Sequence, residues 1–96
     1  MIAQDDANKR SVLHSLRVLV TTLADTYQTH ATARRLCDVA GIDTTLVTWD
    51  PIPRNLWQSI VDEAIKQNRL CALVTQARNE YPQIQNLAQF YRQHCT

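Results

Sequence analysis

The chain has 96 residues, 45% of them hydrophobic and 20% charged, with a formal net charge of +1. That excludes a disordered chain and describes one ordinary domain, which buries roughly two-thirds of its unfolded surface and can cohere around a single core without metal or disulfide. With both signs of charge interspersed, no overall field gathers nucleic acid or an anionic membrane.

The opening "MIAQDDANKR" carries acids where a signal peptide needs a positive end, and no later run approaches the ~18 apolar residues of a membrane span. Residues 1–9 are expected to be disordered or frayed, within a single domain of 1–96 located in the cytoplasm. One glycine and three prolines in the whole chain favour an all-helical reading. From Ser11 to Tyr27, the residues Val12, Leu13, Leu16, Leu19, Val20, Leu23 and Tyr27 follow the three-and-four spacing of one helix face, and Val18 falls on the opposite, polar face. A second helix starts with Thr29 as N-cap and turns Ala33, Leu36, Cys37 and Ala40 inward. Gly41 suits the left-handed position that ends it. A short turn at Thr44 to Val47 follows, capped by Asp43.

"TWDPIP" cannot continue a helix, because Pro51 and Pro53 lack backbone donors and disfavour helical geometry in the residue before each. Pro53 can open the next helix, with Leu56, Trp57, Ile60, Val61, Ala64 and Ile65 inside and Asn55, Ser59, Asp62, Glu63 and Lys66 outside. After a polar break, Leu70, Leu73, Val74, Ala77 and Tyr81 form another inner face, which Pro82 stops. Ile84, Leu87, Ala88 and Tyr91 supply the last. The expected fold class is all-α, a compact antiparallel bundle of five to six short helices.

No catalytic constellation emerges. His14, His30 and His94 are never paired at i, i+4 and none has two cysteines at zinc-binding spacing, so no metal is expected. Cys37, Cys71 and Cys95 form no C-x-x-C and are expected to be reduced thiols, the first two as small core residues. Asp62 and Glu63 are adjacent and so point apart on a helix, which makes them a solvated face and not a paired acid and base. A lone glycine cannot build a phosphate loop. Trp57 belongs to an apolar stripe and is read as the core's centre, while Trp49 plugs the end of the bundle. No enzyme activity, cofactor or small-molecule substrate is expected.

"ARRLCDVAGIDTTLVTW" has the outline of a helix-turn-helix, the alternative reading. A recognition helix must offer polar and basic groups to bases and phosphates, and "TTLVT", flanked by Asp43 and Asp50, has no basic side chain. DNA binding is the weaker reading for that reason.

The order of "LRVLVTTLAD", "ARRLCDVAGID" and "IPRNLWQSIVDEAIKQNRLCALVTQARNEYPQIQNL" resembles the bacterial effector-associated domains of the first type, small helical adaptors allied with the death-like superfamily. The match runs from Leu16 to about Leu87. It is firmest at Trp57, at Leu70, Leu73, Val74 and Ala77, and at Tyr81-Pro82 followed by Leu87. At the break Gln67-Asn68-Arg69 the family often has a glycine, and Asn tolerates the same left-handed backbone. The resemblance implies a non-catalytic adaptor that joins an effector, such as a protease, a caspase-like enzyme or another toxic domain, to a partner by binding a like domain, a second copy of itself included, in bacterial conflict or immunity. Its candidate contact residues are Arg34, Arg35 and Asp38 on the second helix, Asp62, Glu63 and Lys66 on the Pro53 helix, and Val18. Charge reversal at Arg34 and Arg35 is then expected to weaken association without changing the melting behaviour.

Overall fold

In the computed structural model, which describes residues 2–95 and the side chains from Ser11 to Cys95, the described residues form five helices and no strand. They are α1 (Ile2–Thr26), α2 (His30–Ala40), α3 (Pro53–Lys66), α4 (Leu70–Glu80) and α5 (Gln85–His94). Helix α1 packs on α3 and α5, and α4 packs on α2, α3 and α5. The turn at Thr44–Val47 stays a turn and makes no sixth helix. Residues 2–9, expected to be disordered or frayed, are part of α1 in their backbone, while Met1 and the side chains before Ser11 lie outside the described residues.

The helix ends follow the expected chemistry. Thr29 is extended, and its hydroxyl accepts the Thr32 amide at 3.2 Å. Gly41 takes φ +76°, and the Gly41 and Ile42 amides donate to the carbonyls of Asp38 and Cys37, closing α2 with a left-handed cap. Pro53 stands in the first turn of α3, where a missing amide donor costs nothing. The break after α3 is made as anticipated by Asn68, at φ +57°, with the Asn68 and Arg69 amides donating to the carbonyls of Ile65 and Ala64.

The core gathers Leu19, Leu23 and Tyr27 of the α1 stretch, Leu36 and Cys37 of α2, Leu56, Trp57, Ile60 and Val61 of α3, Leu73 and Val74 of α4, and Leu87 of α5. Phe90, absent from the expected inner face, is buried as well, one turn beyond Leu87. Besides Cys71, three residues expected inside are not. Val12, Leu13 and Ile65 are each about half exposed. Val12 and Leu13 precede Leu19, the first buried residue among the described side chains, and Ile65 lies on a flank of α3 left partly open.

Two of the cysteines also depart from expectation. Cys71, in the first turn of α4, is exposed and joined by a disulfide to Cys95 just after α5, their Cα atoms 5.5 Å apart. Only Cys37 is a free thiol in the core, where burial and the neighbouring Asp38 push it up to about 11. A thiol so poorly ionised near neutrality is a packing group and not a nucleophile.

Candidate functional site

The residue after α1 organises the interior. Tyr27 lies just past the helix, so its carbonyl needs an outside donor, and the buried Trp57 indole supplies it at 2.8 Å. The Tyr27 ring packs against Trp57 at 5.8 Å between centroids and edge-on to Tyr81 at 5.5 Å. Its hydroxyl donates to Glu80 at 2.8 Å. Burial first, then the Glu80 carboxylate, raises the phenol above its ordinary range.

Glu80 is in turn held by Arg35, whose two terminal nitrogens donate to the two carboxylate oxygens at 2.7 and 2.8 Å, and by Gln76 at 3.3 Å. The Arg35 guanidinium lowers the Glu80 carboxyl to about 2, aided by the Tyr27 and Gln76 donors against the opposing effect of burial. Arg35 is thus held by a fork-to-fork bond to α4 while remaining exposed, and its reversal to an acid, which would face Glu80, is expected to lower the melting temperature and not to leave it unchanged.

The sign of the pH effect follows from that depression. Glu80 titrates near 4.5 when unpaired and near 2 when folded, so its contribution is complete above the first value and lost as pH falls through the second. With Arg35 half exposed, the contribution is discounted to about 2 kcal/mol. Wild-type stability in urea should fall between about pH 5 and pH 2. Glu80→Gln should be less stable at pH 7 by on the order of 2 kcal/mol and should show a shallower acid slope. An unchanged slope in the variant would refute the assignment.

The other candidate residues separate into two outer rows and two exceptions. Arg34 and Asp38 are exposed one turn apart on α2. The Arg34 guanidinium stacks over Trp49 at 4.5 Å from the ring centroid. Trp49 is half-buried beside His30, and the His30 Nε2 lies 2.9 Å from the Asp50 carbonyl oxygen. Asp62 and Lys66 are exposed one turn apart on α3, with Gln58 donating to Asp62 at 3.1 Å.

Glu63 is the first exception. It is buried, not part of the outer face, and its partner is the Lys66 ammonium at 3.2 Å. Its flank of α3 is the one covered by the 42–52 loop. Ser59 accepts the Thr48 amide there, and the Gln67 side chain exchanges two hydrogen bonds with the Asp43 backbone at 2.7 and 2.8 Å. Asp43 caps its turn as expected, accepting the Thr45 hydroxyl and amide, which hold its carboxyl below the usual range.

Val18 is the second exception, half-buried instead of standing on an open polar face. It lines a groove of about 330 Å³ between α1 and α5, with His14, Leu19, Asn86 and Phe90. Asn86 crosses the floor to donate to the Thr22 hydroxyl at 3.1 Å. The groove holds no gathered reactive set.

Among the described residues, no three His, Cys, Asp or Glu side chains come together as a metal site would require, and no helix is long and apolar enough to cross a membrane. Every buried side-chain nitrogen or oxygen described has a hydrogen-bond partner. The segment proposed as a recognition helix is loop from residue 42 to residue 52, so the helix-turn-helix outline lacks its second helix.

Sequence reasoning missed Glu80, Gln76 and Tyr27 as a polar group around Arg35. A separation of 45 residues between Arg35 and Glu80 leaves no local signal. A family model described as effector-associated domain 1 matches residues 14–95, beginning just after the exposed Val12 and Leu13. No curated protein and no solved structure matches the chain.

Proposed function

This chain belongs to the effector-associated domain 1 family, and from that premise we propose that it is a non-catalytic adaptor that couples an effector to a partner by binding a like helical domain. The effector is a protease, a caspase-like enzyme or another toxic domain, and the setting is bacterial conflict or immunity inside the cytoplasm. The observation that carries the reading is how the side chains are spent. The largest core side chains, Trp57, Tyr27, Leu23, Leu36, Leu56 and Leu87, are fully buried, while charged residues of both signs stand exposed on α2 and α3. Such a body recognises by surface complementarity, where charges set orientation and specificity more than affinity.

Two measurements test this. Differently tagged copies of the chain, and other effector-associated domains encoded by the same genome, are mixed and pulled down pairwise, and light scattering follows the mass of the isolated chain against concentration. Co-capture of at least one like domain is expected. A chain that stays monomeric and captures none of them would end the proposal. Mobility shift with duplex DNA at low salt serves the alternative, and tight, salt-sensitive binding there would favour it.

A further inference from the structure

We infer that copies of this chain associate head to tail, the outer row of α2 on one lying parallel to the outer row of α3 on the next, Arg34 meeting Asp62 and Asp38 meeting Lys66. The inference rests on the homotypic reading above and supplies its partner, surfaces and direction.

The argument is one of register. Arg34 and Asp38 are four residues apart on α2, and Asp62 and Lys66 are four residues apart on α3, all four exposed. Four residues rise about 6 Å along a helix, so both rows present two charges at the same interval. Their order is opposite: positive then negative on α2, negative then positive on α3. A parallel approach therefore sets two unlike pairs face to face, whereas an antiparallel approach sets Arg34 on Lys66 and Asp38 on Asp62 and is repulsive at both. Arg35 is forked onto Glu80 and Glu63 is buried, whereas Lys66, although one of its donors reaches Glu63, is exposed and keeps two more for a facing Asp38. Arg34 is also held in place before any encounter by its stack on Trp49, so less side-chain freedom is lost on binding. After the first contact one copy still has its α3 row unoccupied and the other its α2 row. A head-to-tail contact of this kind can continue into a ring or a filament.

The test is a charge swap read by sedimentation velocity of the full chain at about 0.1 M salt, where surface charges still act over ~10 Å. Arg34→Asp alone and Asp62→Arg alone should each self-associate at least tenfold more weakly than the native chain. An equimolar mixture of the two should recover, since each variant face then meets an opposite charge, and that recovery also certifies that both are folded. Asp38→Lys gives a separate arm that keeps the Trp49 stack. It should weaken association by repelling Lys66, and if it strengthens association the parallel direction is wrong. Native-like association of both Arg34→Asp and Asp62→Arg, or a mixture no better than either alone, would overturn the surfaces while leaving the adaptor reading intact. A native chain that binds no second copy would overturn self-assembly itself.

Discussion

Trp57→Ala is expected to lose 3 to 5 kcal/mol, most of the stability that a domain of this size possesses. Two effects combine. The indole is completely buried, against the Tyr27 ring, so its removal leaves a cavity that the surrounding helices can close only in part. The Tyr27 carbonyl also loses its donor, stranding a polar group that a native interior almost never leaves unpaired. Urea titration followed by circular dichroism is the measurement, since it does not depend on the fluorophore removed. Trp57→Phe separates the terms, keeping most of the ring and deleting only the hydrogen bond, and should cost about 1 to 3 kcal/mol. A Trp57→Ala chain within about 1 kcal/mol of the native one would mean that the core is centred elsewhere.

Opening the Cys71–Cys95 bridge should come next in size. It closes a loop across a separation of 24 residues, for which the loss of unfolded-chain entropy corresponds to about 3 kcal/mol, or a fall in Tm on the order of 10 to 20 °C for a domain of this length. Cys71→Ser and the native chain with reductant should melt alike. Thiol titration of the unfolded native chain should find one free group before reduction, Cys37, and all three cysteines afterwards. Indifference of the melting curve to reductant would rule the bridge out as a stabilising element. In a glutathione-buffered compartment the bond would open, and the domain would stand on its core alone.

Much of the fold was legible because its signals are local. Thr29, Gly41, Pro53, Asn68 and Pro82 each act on the backbone beside them, and Leu73, Val74 and Ala77 share a face by spacing alone. What escaped depends on which elements meet. Helical periodicity places Val12 and Leu13 on the same stripe as Leu19, but it cannot say that the stripe begins before the neighbouring helices do. Glu63 reads as an outer residue until the 42–52 loop is laid against its flank. Cys71 and Cys95 are 24 positions apart, and three cysteines give no basis for choosing a pair. The candidate surface was half readable: Arg34, Asp38, Asp62 and Lys66 stand outside as their helical positions require, whereas Arg35 looked equivalent to Arg34 and is spoken for by a carboxylate on a distant helix.

Tyr27 lies at the joint after α1, yet its backbone is gripped from α3 and its hydroxyl from α4, where the same acid is clasped from α2. Four of the five helices are thus tied through one side chain and its immediate partners. None of those four can peel away singly without exposing polar groups belonging to the others, so the unit should come apart all at once, as a knot does when its crossing is released.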